Sequence, residues 1–450
     1  MRGNAKIDMT RGPMLPAIVR FALPILLGTL LQMMYHTADT LVIGNFCGSA
    51  SLAALGTSGQ PVEILINVFM GLGAGASILV AQYMGSGEKE KLRSVAGTAV
   101  SFLYLCAIPM TVVGWFVGPV ILRGMNVPAD TFALASSYMR ITFLGTLFNL
   151  GYNLNAGVLR GMGDSQSSLW FLVLSCSVNI VLDLLFVAGF RMDVAGAALA
   201  TIIAQAVSWI VSILYIRRRY PEVSFPFLPR SVDGGMMKEL TRLGVPLGIN
   251  NSFYSVGHLL MQSLINMQGA AFIAGCSVAG KMNSFSNLTT GALSTATATF
   301  AGQNYGARSW QRLKKAARIP FCSALISLIS GVVLVSFAQP LAAMFSDDPQ
   351  VIFYAVRYMR VVMPMCWAYA LFNAIISLAN AIGEIRYPTI VNILMLWVVR
   401  IPVAHLIARV VDGTWVMAAV SISFVFGMVC MLFFFRSHRW REVRNLAKAA

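Results

Sequence analysis

A carboxylate in an apolar run is the first residue whose type and position could do chemistry. Asp39 lies in the stretch from Phe21 to Phe46, FALPILLGTLLQMMYHTADTLVIGNF. Gln32, Tyr35 and Asp39 are spaced by three and four residues, so they share one face of a helix. A charge inside hydrocarbon is costly unless it meets a partner or water, so a carboxylate at this position indicates function.

A second carboxylate, Asp183, is predicted to lie at the same depth. Asp39 and Asp183 are each a few residues from the outer end of a predicted membrane span, which places both roughly 10 Å below the outer surface at a rise of about 1.5 Å per residue. Asn179 is one helical turn from Asp183, and Thr201 lies at a similar depth in the next span. These four side chains are therefore predicted to converge if their helices are neighbours.

This cluster suits two kinds of chemistry. Oxygen ligands that include carboxylates suit a hard cation, here Na⁺. Two carboxylates in a poorly solvated site also titrate as a coupled pair, so the cluster could take up and release a proton. A third interpretation gives the carboxylates only hydrogen bonds between helices. His36, three residues before Asp39, is a candidate modulator of the site together with Gln32 and Tyr35; a locally satisfied histidine is the alternative.

Three more charged residues lie near the middle of predicted spans. Glu63 either lines a substrate cavity or pairs with a buried base. Lys281 and Arg400, in the second half of the chain, either line a cavity or bind backbone carbonyls and polar neighbours. We treat all three as candidate cavity residues.

The composition requires a membrane. Hydrophobic residues make up 57% of the 450 residues, charged residues 11%, and the mean hydropathy is +0.73. Apolar runs of twenty or more residues recur along the chain, which favours helical spans over barrel strands. The net charge of +16 sits mostly in short connections and so does not indicate nucleic-acid binding. The seven cysteines are scattered, with no close metal-ligand pair.

The hydropathy predicts an all-α protein with twelve transmembrane helices. The odd-numbered connections hold only three basic residues, Arg123, Arg191 and Arg409, so both termini are predicted to be cytoplasmic in a multi-pass cell membrane protein. The predicted spans are Met14 to Phe46, Ser51 to Met84, Leu92 to Gly118, Thr131 to Leu159, Ser167 to Gly189, Val194 to Ile216, Lys238 to Met267, Ala270 to Gln303, Ala316 to Phe337, Pro349 to Ala381, Pro388 to Val410 and Trp415 to Phe435.

The two halves of the chain repeat. The segment Tyr138-Met139-Arg140-Ile141 recurs 220 residues later as Tyr358-Met359-Arg360-Val361. Six spans separate the copies, so the copies have the same orientation, and two pseudo-symmetric six-helix bundles with a substrate cavity between them are predicted. The predicted domains are residues 1–218, a cytoplasmic linker at 219–237, and residues 238–450. Glycines in GLGAGAS are predicted to permit close helix packing rather than to bind phosphate.

Several motifs in this order resemble the multidrug and toxic compound extrusion (MATE) transporters over nearly the whole chain. They are ALPILLGTLLQMMYHTADTLVIG, VAQYMG, LRGMGDSQ, NIVLDLLFV, AALATIIAQ and AGQNYGA. The chain looks most like the branch that includes the damage-inducible type and archaeal members. In that branch a cation site is formed by residues that match Asp39, Asn179, Asp183 and Thr201.

The resemblance implies export of organic, often cationic, compounds in exchange for H⁺ or Na⁺. It implies no enzymatic activity, no cofactor beyond the coupling ion, and small organic substrates handled by a monomer in the lipid bilayer. His36 departs from the Asn that is common at its position in related sequences, so the coupling ion stays open. The other main branch keeps a carboxylate in span 7, where this chain has Asn250, Asn251 and Tyr254. A lipid-linked precursor flippase of the same superfamily and an uptake carrier are the alternatives.

Overall fold

The structure is a computed structural model that describes residues 6–125, 127–230 and 232–449, so residues 1–5 at the predicted cytoplasmic amino terminus lie outside it. These residues form helices and contain no β-strand. The first nine helices are α1 (Met14–Phe46), α2 (Ser49–Ser86), α3 (Lys89–Gly124), α4 (Ala129–Leu144), α5 (Thr146–Gly161), α6 (Ser165–Asp183), α7 (Asp193–Arg219), α8 (Gly234–Asn266) and α9 (Ala270–Gly306). The others are α10 (Trp310–Ala316), α11 (Ile319–Ser336), α12 (Ala338–Ala343), α13 (Pro349–Val362), α14 (Cys366–Ala381), α15 (Arg386–Ile393), α16 (Ile401–Val410), α17 (Ala418–Leu432) and α18 (His438–Ala449).

The all-helical fold predicted from hydropathy is confirmed. Among the described residues, eight helical segments are long and apolar enough to cross a membrane. They correspond to predicted spans 1, 3, 5, 6 and 9 to 12, and the other four predicted spans are also helical but do not meet that criterion. The first span begins and ends at the predicted residues, Met14 and Phe46.

The helices group into two compact units. Unit 1 contains residues 6–8 and Leu23–Ile249, and unit 2 contains Met9–Ala22 and residues 250–449. The assignment changes inside α1, just before Pro24, and inside α8, three residues after Pro246. The helix continues through both prolines.

Close backbone contact holds part of unit 1 together. A Cβ atom at Gly71 in α2 would lie 2.0 Å from the backbone nitrogen of Gly248, and one at Gly75 would lie 2.9 Å from that of Gly244. Only glycine permits this approach of α2 to α8. Two glycines of the GLGAGAS segment thus act in helix packing, as in small-residue helix interfaces in membranes.

The fourth predicted span is interrupted at Gly145, between α4 and α5. A Cβ atom there would lie 2.3 Å from the side chain of Ile202. The interruption leaves the carbonyl of Phe143 free, and the hydroxyls of Thr111 and Thr146 donate to it at 2.9 and 2.7 Å. A broken helix within a membrane is stable because side chains satisfy the freed backbone groups in this way.

Unit 2 is organised around α9 and α14. Helix α9 packs against α13 and α14, and α14 packs against α11 and α17. The segment before α1 is bound here as well: the buried Met9 carbonyl accepts from Asn304 Nδ2 at 3.0 Å and from Arg312 Nη2 at 3.1 Å. Its amide donates to Gln303 Oε1 at 3.2 Å. These bonds fix the main chain of Met9 on the end of α9.

Candidate cation site and cavity

Four predicted site residues come together in unit 1. Asp39 comes from α1, Asn179 and Asp183 from α6, and Thr201 from α7. The carboxyl groups of Asp39 and Asp183 lie next to each other. Asn179 Nδ2 donates to the hydroxyl of Thr201 at 3.3 Å. The structure therefore joins three helices at one polar cluster.

Tyr35 extends the cluster by one turn of α1. Its hydroxyl lies 3.2 Å from the Thr201 hydroxyl, which in turn donates to the carbonyl of Ala197 at 3.0 Å. His36 lies beside Tyr35, with ring centroids 4.9 Å apart, and within electrostatic range of Asp39. Gln32 lines the cavity described below. All three candidate modulators thus lie on or beside the site.

The cluster contains more acceptors than donors. Four buried oxygen atoms have no hydrogen-bond partner among the described residues: Asp39 Oδ1, Asn179 Oδ1, Asp183 Oδ1 and Asp183 Oδ2. The Asn179 and Asp183 side chains are each only 1% exposed. Buried polar atoms nearly always have a partner, and unpaired carboxylate oxygens are among the costliest exceptions. Such a set is suited to receive a proton or a hard cation.

The backbone of α6 changes at the cluster. The α-helix ends at Asp183, and a π-helical turn follows from Leu184 to Gly189. A π turn shifts the helical register and is common at functional sites. The register shift therefore begins at the residue after the buried carboxylate.

A cavity of about 220 Å³ lies entirely within unit 1, beside the cluster. Helices α1, α5, α6 and α7 enclose it. Its polar lining residues are Thr29, Gln32, Tyr35, His36, Asn149, Tyr152, Asn153, Arg160, Ser165, Ser168, Ser175, Thr201 and Gln205. The polar end of the cluster thus opens into a space that a small molecule could enter.

The three other charged candidates lie away from this cavity. Glu63 is exposed on α2. Lys281 is exposed on α9, with its ammonium 5.5 Å from the ring centroid of Phe345. Arg400 is only 4% exposed, and its Nε donates to Ser423 Oγ at 2.9 Å in unit 2. Among the described residues, these three side chains do not join the carboxylate cluster.

The sequence interpretation did not select several residues of the site. Tyr138 in α4 lies within electrostatic range of both carboxylates, and only its place in the internal repeat marked it. Three polar residues of α5, Asn149, Tyr152 and Asn153, and then Arg160, occupy one helical face. That spacing of three, four and seven residues is a signal that could have identified the cavity wall.

The fold and the intramembrane site define a multi-pass helical membrane transporter. A family model described as MatE matches residues 24–185 and again residues 246–406. The chain therefore belongs to the MatE family, and the predicted family membership is confirmed.

Relatives of known name align over most of the chain. A probable multidrug resistance protein, YpnP, of Bacillus subtilis is 27% identical over 97% of this chain and 98% of its own length. The probable multidrug resistance protein NorM of Thermotoga maritima is 24% identical over 94% of this chain and 93% of its own. An FAD transporter of Shewanella oneidensis is 25% identical, covering 88% of each.

Solved structures share the fold. A multidrug resistance MATE family transporter in an outward-facing conformation matches with a TM-score of 0.88 at 24% identity, covering 98% of this chain and 99% of that one. A MATE crystal structure in a straight conformation matches with a TM-score of 0.89 at 23% identity over the same shares. The architecture of both extends over nearly the full length of this protein.

Proposed function

We propose that this protein is a secondary antiporter that exports organic, often cationic, compounds in exchange for H⁺ or Na⁺. Membership of the MatE family and the printed names of the multidrug resistance relatives support export of small molecules. The observation that carries ion coupling is the group of four buried, unpartnered oxygen atoms on Asp39, Asn179 and Asp183. A bound H⁺ or Na⁺ would supply the missing positive charge.

The coupling follows from the position of the cluster. Ion binding between Asp39 on α1 and Asp183 on α6 would draw these helices together, because the attraction replaces a repulsion between adjacent carboxylates. The Tyr35–Thr201 contact transmits that change to the cavity wall. A compound whose binding requires the ion-free wall is then released when the ion binds, which is a negative coupling between two ligands.

Efflux from proteoliposomes tests this function. Vesicles loaded with a fluorescent cationic dye are given a pH gradient or a Na⁺ gradient separately, and dye release is followed. We expect one gradient to drive release, and Asp39→Asn and Asp183→Asn to reduce the driven rate to that of empty vesicles. Glu63→Gln is the matched control, because it neutralises an exposed carboxylate of the same unit outside the cluster.

Two results would contradict the proposal. If both Asp variants keep the full driven rate, the cluster does not couple the ion. If wild-type protein moves no organic compound under either gradient but moves a lipid-linked sugar between leaflets, the protein is a flippase.

We also propose that both termini are cytoplasmic and that a single chain is the transporting unit. The clustering of basic residues in alternate connections supports the orientation. A carboxyl-terminal fusion to green fluorescent protein is expected to fluoresce and one to alkaline phosphatase to be inactive. One chain per detergent micelle, measured by light scattering, is the expected oligomeric state.

A further inference from the structure

The cavity of unit 1 has a cation at the end opposite the carboxylate cluster. Arg160 lies in the last turn of α5 and lines the cavity together with Pro24 of α1. Tyr35 lines it eleven residues further along α1, which corresponds to roughly 16 Å at 1.5 Å per residue. The cavity is therefore acidic and oxygen-rich near one end and positively charged near the other.

Arg160 has unused donor capacity. Its one printed hydrogen bond, from Nη1 to Ser168 Oγ, is long, at 3.5 Å. Among the described residues, it forms no ion pair within 4.0 Å. A guanidinium offers five N–H donors in a planar fork, so a single hydroxyl leaves most of them available.

The nearby buried carboxylate is already occupied. Asp164 is fully buried, and its oxygens accept from the Ser167 amide at 2.9 Å, the Ser167 hydroxyl at 2.7 Å and the Tyr220 hydroxyl at 2.7 Å. It caps α6 and does not pair with Arg160. The positive charge at this end of the cavity is therefore not neutralised by the carboxylate closest to it in the chain.

The surroundings of Arg160 fit an organic anion better than an inorganic one. The hydroxyls of Ser165 and Ser168 line the same end, on the first turns of α6. Tyr152, Leu169 and Leu172 continue the wall from there. A planar guanidinium with hydroxyls beside it matches a carboxylate, and the aromatic and aliphatic wall beyond matches an apolar body.

We propose that Arg160, with Ser165 and Ser168, forms an anion subsite that binds the carboxylate of a small organic or amphoteric compound. The proposal rests on the proposed export function and names a substrate class for it. The cavity of about 220 Å³ is smaller than the roughly 300–1,000 Å³ typical of drug-sized ligand sites, so the compound is small.

Two ligands that differ in one charge test the subsite. The amine of 4-(aminomethyl)benzoate is cationic and its acid group anionic, whereas its methyl ester keeps the amine and loses the anion. Binding of each to the purified full-length protein is measured by titration calorimetry, without any ion gradient. Because a charged hydrogen bond contributes about 1.5–3 kcal/mol, we expect wild-type protein to bind the acid about tenfold to a hundredfold more tightly than the ester.

Variants at two arginines assign the preference. Arg160→Gln is expected to abolish the preference for the acid, and Arg160→Lys to retain part of it, because lysine keeps the charge but not the fork. Arg140→Gln is the matched control: Arg140 is exposed on α4 of the same unit, 5.5 Å from the ring centroid of Trp115. It is expected to leave both affinities unchanged.

The wild-type protein alone can overturn the proposal. Equal affinity for acid and ester, or no binding of the acid, contradicts an anion subsite whether or not the variants fold. A preference that survives in a folded Arg160→Gln protein places the anion elsewhere. Since no gradient is used, binding of the acid is unaffected if the antiport function fails, and the two failures are distinguishable.

Discussion

The two halves of this chain differ most at positions that their internal repeat makes equivalent. The family model begins at residues 24 and 246 and ends at 185 and 406, which are offsets of 222 and 221. Asn179 and Thr201 of unit 1 correspond in this register to Arg400 (400 − 179 = 221) and Ser423 (423 − 201 = 222). Both pairs are hydrogen-bonded, at 3.3 and 2.9 Å. The same contact is therefore built with opposite charge.

The carboxylates are present in only one of the halves. At the same offsets, Asp39 and Asp183 correspond to Met261 and Ala404, which are 5% and 0% exposed. Unit 1 thus has buried acceptors without donors, while Arg400 of unit 2 has an unpartnered donor, Nη2, among the described residues. A cation suits the first arrangement and is repelled by the second. The comparison teaches that one repeat can lose exchangeable ion binding and keep the helix contact.

The largest expected effect separates the two halves directly. Asp183→Asn is expected to lower gradient-driven efflux at least tenfold, since it removes one of two carboxylates that would hold the ion. Arg400→Gln is expected to leave the gradient dependence in place, because it lies outside that cluster. Efflux from proteoliposomes at equal protein content measures both. Loss of ion dependence in the Arg400 variant, with the fold retained, would show that unit 2 takes part in coupling.

A smaller effect concerns the stability of the second contact. Ser423→Ala removes the acceptor of the buried Arg400 Nε, and leaving such a donor unpaired costs about 1–3 kcal/mol. We expect a lower thermal midpoint in detergent, with ion-driven transport of the remaining folded protein unchanged. Ser421→Ala, whose hydroxyl donates to the carbonyl of Val361 at 2.8 Å, is the neighbouring control and leaves the guanidinium paired. Equal shifts for the two variants would argue against a special role of the Arg400 contact.

Thr201→Val is the counterpart of that change in unit 1. It removes a hydroxyl that contacts both Asn179 and Tyr35 while keeping a similar volume. Hydrogen bonds of this kind contribute about 0.5–1.5 kcal/mol each, so we expect ion affinity to fall by about 2- to 12-fold per lost bond. The ion concentration that gives half-maximal efflux measures it. If instead only thermal stability falls, Thr201 acts in helix packing alone.

The smallest expected effect is that of Tyr35→Phe. The ring and its packing remain, and only the 3.2 Å contact to the Thr201 hydroxyl is lost. We expect a change in half-maximal ion concentration of a few-fold, with maximal efflux unaltered. When combined with Thr201→Val, the two effects should be less than additive because they remove the same contact. Strict additivity would mean that the two hydroxyls act separately.

The sequence predicted the carboxylate cluster because intramembrane carboxylates are rare and depth can be counted along a helix. Asp39 and Asp183 stood out for cost alone, and their helical neighbours Asn179 and Thr201 followed from spacing. Direction was harder to predict. Depth gave no sign that Glu63 is exposed, or that Arg400 pairs with a serine twenty-three positions away, because both depend on how neighbouring helices pack.

The cavity was missed for a different reason. Arg160 was grouped with the basic residues of a cytoplasmic connection, where it supports the predicted orientation, yet its side chain lines the cavity. The interruption at Gly145 was also invisible, since it depends on the position of Ile202 on another helix. Both are tertiary effects that local patterns do not encode.

The bonds at Met9 set a limit on how far the chain can be shortened from its beginning. The main chain of Met9 is held by Gln303, Asn304 and Arg312, and Arg312 Nη1 also donates to the Gly12 carbonyl at 2.7 Å. A truncation that removes Met9 leaves a buried arginine and amide without their acceptors. A protease or a cloning boundary that cuts before this point spares those bonds, whereas one placed after it removes the fastening of the first helix.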